Sequence, residues 1–150
     1  ESIQDRLQVP RLSLPLIQSR PWWGHGGATY VLAFPAIKPP GHGLHWDHAH
    51  NDYVEIAVDT GLVGLGLLLA FALATAWRAA GMLGDAQPRL KRGVGAAALM
   101  ALCCMGLHSM VDFNLQIPAN AMTLVLLMGL VWAMPRGGSL DAQHTATTRM

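Results

Sequence analysis

One apolar stretch constrains this chain more than any other feature. Gly61–Trp77 reads GLVGLGLLLAFALATAW and contains no charged residue, which is close to the about 20 apolar residues that a helix needs to cross a bilayer. A helix of a soluble protein needs a polar face toward water, and this stretch offers none at any helical phase. A soluble bundle with three buried helices is therefore the disfavoured alternative.

Two further apolar runs, Gly93–Leu107 and Ala121–Met134, predict two more spans. Charged residues are 13 % and hydrophobic residues 52 % of the chain, a composition that excludes a disordered protein and a basic nucleic-acid binder. We predict an all-α, multi-pass helical membrane protein with three transmembrane helices. Because the first residue is Glu1 and not Met, we expect a C-terminal fragment of a longer protein. The expected divisions are the end of a large periplasmic loop (1–54), the three-span region (55–136) and a disordered cytoplasmic tail (137–150).

Lysine and arginine positions predict the orientation of these spans. The loop after the first span is basic, whereas the loop 108–120 has no Lys or Arg, and basic loops stay in the cytoplasm. We expect 78–92 and the C-terminus to be cytoplasmic, and 1–54 and 108–120 to lie outside, which is the periplasm if the membrane is the inner membrane of a bacterium.

Histidines and acidic residues are concentrated on the predicted outer side. Segment 20–55 holds five of the seven histidines, and a second cluster, His108 and Asp112, opens the next outer loop. Histidine and carboxylate clusters can hold zinc, but Pro40, Gly41 and Gly43 argue against a helix that presents them on one face. We expect no metal and no cofactor. The five histidines are His25, His42, His45, His48 and His50.

The alternative to a metal site is proton and phosphate chemistry. Imidazole accepts a proton near neutral pH, and the arginine fork binds phosphate oxygens while keeping its charge. Histidine and arginine on the outer membrane face suit transfer from a lipid-linked diphosphate. Guanidinium groups can take the place of a divalent cation there.

Three motifs in order resemble one family. Arg6 is followed by P-x-x-G-x-G at Pro21–Gly26, then by HAHNDYVE at His48–Glu55 with GLVG after it, and later by HSMVDFN at His108–Asn114. This order resembles the O-antigen ligase/polymerase family over roughly residues 6–134.

The resemblance implies a metal-independent glycosyltransferase of the bacterial inner membrane, active in lipopolysaccharide or exopolysaccharide biosynthesis. Such proteins move glycan from undecaprenyl diphosphate to a hydroxyl of lipid A-core, of a growing glycan or of a protein. The working Arg and His of the family correspond by motif to Arg6 and His50. Membrane lipid is the remaining expected partner, and nucleic acid is not expected. We add as substrate-binding candidates Arg20, His48, Glu55, His108 and Asp112.

Several residues have a structural alternative. Gly24 and Gly26 permit a tight turn and also fit a phosphate-cradling loop, and Asn51 fits a helix cap. Glu55 is expected to face protein, where it can orient His50. Pro10 is expected to weaken a helix around Arg6.

A membrane transporter or channel subunit with an outer histidine site is the alternative function. It predicts ionisable residues inside the spans, and the apolar middles contain none.

Overall fold

The computed structural model describes residues 3–37 and 48–135, without the side chains of residues 3–7 and Ala36. The described residues form helices and no strand, which confirms the all-α class. The predicted tail 137–150 lies outside them. The six α-helices are α1 (Ile3–Leu12), α2 (Leu14–Ser19), α3 (Tyr30–Ala33), α4 (Asp52–Ala80), α5 (Arg89–His108) and α6 (Pro118–Ala133).

Two of these helices are long and apolar enough to cross a membrane. They are α4, with 29 residues, and α5, with 20. Only 22 % and 17 % of their most apolar windows are buried, whereas a core helix of a soluble protein is mostly covered. The third predicted span corresponds to α6, whose 16 residues reach about 24 Å at 1.5 Å per residue. That is short of a bilayer core of about 30 Å, so two candidate spans are established and α6 is a shorter apolar helix.

The three long helices are joined at the end of α4 where Arg78 lies. Ala79, Met82, Ala98 and Val131 form a small apolar core there. Arg78 Nε donates to the Val131 carbonyl oxygen at 2.8 Å and Nη2 donates to that of Met134, so the guanidinium satisfies carbonyl groups that the end of α6 leaves without partners.

Helices α1 to α3 form a cap over the opposite end of α4. Its core contains Val9 of α1, Tyr30 and Ala49 together with Val58 of α4. The Tyr30 hydroxyl donates to Ser13 Oγ at 2.8 Å, and burial raises the pKa of this phenol, with the Ser13 hydrogen bond opposing the shift. Helix α1 continues through Pro10. Pro10 lies in its last turn.

The cap is attached to α4 at a kink. Gly61 has φ +72° and ψ −178°, which interrupts the helix. In an unbroken helix the Leu62 and Val63 amides would donate to the Val58 and Asp59 carbonyls. Here both amides donate instead to carbonyls of loop 20–29, Leu62 to Pro21 at 2.7 Å and Val63 to Trp22 at 3.3 Å.

The two carbonyls released by the kink are satisfied by the same loop. The His25 amide donates to Val58 at 2.8 Å and the Gly26 amide to Asp59 at 2.9 Å. The loop therefore replaces hydrogen bonds that the kink removes from the helix. This exchange brings backbones together so closely that a Cβ on Gly61 would lie 2.2 Å from the Trp22 carbonyl oxygen, and one on Gly24 would lie 2.4 Å from that of Asp59.

Replacing Gly61 is expected to loosen the cap. Gly61→Ala should lower the free energy of unfolding in detergent micelles by about 1–3 kcal/mol, because it combines a strained positive φ with a clash against Trp22. The control is Gly66→Ala, since a Cβ at Gly66 meets nothing within 4 Å. Equal stability of the two variants would contradict the structural role of the kink.

Candidate functional site

His48 and Glu55 form the best-defined polar pair at the outer end of α4. His48 Nδ1 donates to Glu55 Oε1 at 2.8 Å, and the Ala49 amide donates to the other carboxylate oxygen at 3.0 Å. An ionised Glu55 can only accept, so with this carboxylate ionised the proton of a neutral His48 ring lies on Nδ1. Nε2 is then the nitrogen with a lone pair for a substrate hydroxyl. The expectation that Glu55 orients His50 is corrected, because its hydrogen bonds are to His48 and Ala49.

His50 is buried beside this pair in an uncommon backbone conformation. Its φ is +49°, in the left-handed region that residues other than glycine rarely occupy. Its side chain is 9 % exposed, against 37 % for His48. Residues held in such conformations concentrate at functional sites.

The loop after α5 brings the second predicted cluster to the same place. Asp112 lies 3.8 Å from both His50 Nδ1 and His108 Nε2, measured to Oδ1 and Oδ2 respectively. Phe113 stacks on the His48 ring at 4.4 Å and meets the His50 ring edge-on at 5.3 Å. Phe113 belongs to the HSMVDFN motif but was not among the predicted site residues.

Two residues at the start of α4 form hydrogen bonds with the loop after α5. Asn51 Oδ1 accepts from the Val54 amide at 3.1 Å, which confirms the helix cap, and Asn51 Nδ2 donates to the Met110 carbonyl at 2.9 Å. The buried carboxylate of Asp52 accepts from the Leu115 amide at 3.0 Å. The two motifs, distant in sequence, therefore meet through hydrogen bonds of Asn51 and Asp52.

Three carboxylates at this end of α4 each accept a hydrogen bond from a backbone amide of a different part of the chain. Asp52 holds the loop after α5, Glu55 holds 48–49, and Asp59 Oδ2 accepts from the Ala28 amide at 2.7 Å. Negative charge near the N-terminus of a helix is favourable. These acids therefore face protein and stabilise the cap.

The glycine motif serves the cap and not a phosphate. The Gly24 and Gly26 amides donate to the Arg20 and Asp59 carbonyls, so they are occupied, and the turn interpretation is favoured over a phosphate cradle. His25 also has a structural contact, because its Nε2 donates to the Leu16 carbonyl at 3.0 Å.

Of the two predicted arginines, Arg20 is the one whose side chain the structure describes, and it lies outside the histidine and carboxylate cluster. Arg20 is exposed at the end of α2, and no hydrogen bond or ion pair joins it to the cluster within residues 3–37 and 48–135. Arg6 is in α1, three residues before Val9, but its side chain lies outside the described residues. His42 and His45 also lie outside them. The structure brings together His48, His50, Glu55, His108 and Asp112.

The arrangement can accept a proton and orient a hydroxyl. The imidazoles of His48 and His50 both contact the Phe113 ring, and the Glu55 carboxylate orients His48. An imidazole held in this way can take a proton from a hydroxyl. In the part of the chain that the structure describes, no group of three His, Cys, Asp or Glu side chains is arranged to hold a metal ion.

Removing the Asp52 carboxylate is expected to separate the two loops. Asp52→Ala leaves the Leu115 amide without its acceptor and should lower the free energy of unfolding by about 1–3 kcal/mol. Asp85→Ala is the matched control, because Asp85 is fully exposed and should change stability by less than about 0.5 kcal/mol. Chemical denaturation in micelles measures both, and an equal loss would contradict the role of Asp52.

Comparison with known proteins supports the family resemblance. No curated protein and no solved structure matches the chain. Residues 1–69, however, match the family model described as O-antigen ligase. The match covers the cap, the His48–Glu55 motif and the Gly61 kink, and it confirms for this part of the chain the resemblance predicted from the motifs.

Proposed function

We propose that this protein is a membrane glycosyltransferase of the O-antigen ligase type. It moves glycan from an undecaprenyl-diphosphate donor to an acceptor hydroxyl of lipid A-core, a glycan or a protein. The reaction needs no metal ion in this proposal, because guanidinium groups carry the diphosphate charge.

One observation carries the proposal. The residues that match the O-antigen ligase family, 1–69, include the histidine motif that the structure holds against Asp112 and Phe113 at one end of α4. The matched segment thus contributes to a site that can take a proton from a hydroxyl. The uncharged stretch Gly61–Trp77 offers no ionisable group for transport.

The proposed reaction is a single displacement. The acceptor oxygen attacks the anomeric carbon and forms the new glycosidic bond, while its proton passes to the imidazole of His50. The bond between the anomeric carbon and the diphosphate oxygen breaks, and undecaprenyl diphosphate leaves with the electron pair. Arg6, helped by Arg20, holds that diphosphate. Attack opposite the leaving group inverts the anomeric centre.

The neighbouring groups support His50 in this proposal. Asp112, 3.8 Å from His50 Nδ1, stabilises the imidazolium that forms. His48, oriented by Glu55, accepts a hydrogen bond from a sugar or acceptor hydroxyl at Nε2. His108, at 3.8 Å from the same Asp112, is a further substrate-binding residue in this proposal.

The orientation follows from the charge asymmetry. The histidine cluster lies at one end of the α4–α5 pair and the basic loop 78–92 at the other. We place 1–54 and 108–120 in the periplasm, and 78–92 and the C-terminus in the cytoplasm, of a bacterial inner membrane.

Replacing His50 is the direct test of the proton acceptor. His50→Ala should lower the rate of glycan transfer by about 100-fold or more, the usual contribution of a general base. Transfer from a purified lipid-linked donor measures it, and His144→Ala, a histidine outside all three motifs, is the control. Wild-type activity of His50→Ala, or a larger loss in His48→Ala, would remove His50 from this role.

Exchanging Arg6 for lysine tests the diphosphate contact. A lysine keeps the charge but loses the bidentate fork, so Arg6→Lys should lower kcat/KM for the donor about tenfold. Arg89→Lys, in the basic loop at the other end of the helices, is the control. Unchanged kcat/KM in Arg6→Lys together with a loss in Arg20→Lys would assign the diphosphate to Arg20 instead.

A further inference from the structure

A polar pocket lies at the end of the helices opposite the histidine cluster. It has a volume of about 280 Å³ and lies between the end of α4, the start of α5 and the residue after α6, far larger than the roughly 30 Å³ of one water molecule. Its lining includes Arg78, Gln87 and Lys91, and no carboxylate of residues 3–37 or 48–135 contributes to it.

Lys91 is the unexplained group in this pocket. It is only 8 % exposed, and within the described residues no carboxylate pairs with it. The single acid of segment 81–92, Asp85, lies 3.5 Å from Arg92 instead. The Lys91 stem is covered by protein, but its ammonium is not one of the buried groups without a partner. The ammonium reaches the pocket that this residue lines, where an anion can bind it.

Two neighbours complete an anion-binding set. Arg78 uses Nε and Nη2 on the end of α6, which leaves Nη1 available to an anion. Gln87 Oε1 is buried with no hydrogen-bond partner among the described residues, and it can accept from a hydroxyl. Two cationic donors beside one acceptor suit a phosphate that carries a hydroxylated group.

The location indicates the source of that phosphate. Trp77 also lines the pocket and is 85 % exposed, a position typical of tryptophan at the membrane–water interface. Anionic lipids attract basic segments there. We propose that this pocket binds the phosphate of an anionic glycerophospholipid, with Lys91 as its main ligand, independently of the glycosyltransferase proposal.

The test uses the full chain in detergent micelles with dioleoylphosphatidylglycerol as the probe. Added lipid should raise the thermal unfolding midpoint, and Lys91→Met should weaken the apparent affinity about tenfold, the ratio that one charge-assisted hydrogen bond supplies. Arg92→Met is the matched control, because it removes one charge from the next residue, which does not line the pocket. Lys91→Arg, which keeps the charge, should retain binding.

The controls separate the possible outcomes. Lys91→Met keeps the buried stem, so its unfolding midpoint without lipid should stay close to that of the wild type, and a large drop would assign Lys91 to the fold and not to lipid binding. Equal weakening in Lys91→Met and Arg92→Met overturns the site, because it shows general surface attraction. Equal stabilisation by inorganic phosphate or by dioleoylphosphatidylcholine overturns the assignment to an anionic lipid.

Discussion

The exchange of backbone hydrogen bonds at Gly61 holds the cap on the membrane helix. Inside or near a bilayer, water cannot satisfy amides and carbonyls released by a kink. Loop 20–29 supplies both acceptors and donors, from Pro21 and Trp22 on one side and His25 and Gly26 on the other. The P-x-x-G-x-G motif and the glycine that begins GLVG are therefore one structural unit, although they are distant in the chain.

Once the cap is fixed, the acidic residues at the start of α4 position the rest of the site. Each of Asp52, Glu55 and Asp59 accepts a backbone amide from a different segment. Their carboxyl oxygens accept from those amides in place of water. The start of α4 therefore positions His48 through Glu55, and it positions the loop after α5 through Asn51 and Asp52.

The sequence predicted the features that depend on local periodicity and composition. The apolar run beyond Gly61, the Asn51 cap and the His108–Asp112 pair one turn apart all follow from spacing along the chain. Two features did not follow. The partner of Glu55 is His48 and not His50, which depends on the left-handed turn at His50. The kink depends on a loop that is distant in sequence and returns to α4.

His50 adopts its backbone conformation at an energetic cost. A left-handed backbone costs about 1–2 kcal/mol for a residue with a Cβ, and glycine would adopt it without that cost. The hydrogen bonds of Asn51 and Asp52 to the loop after α5 hold the chain in this turn. The turn directs a buried imidazole toward Asp112 and the edge of Phe113. Glycine would give the same turn at lower cost, and the imidazole at this position is the group that we propose as the proton acceptor.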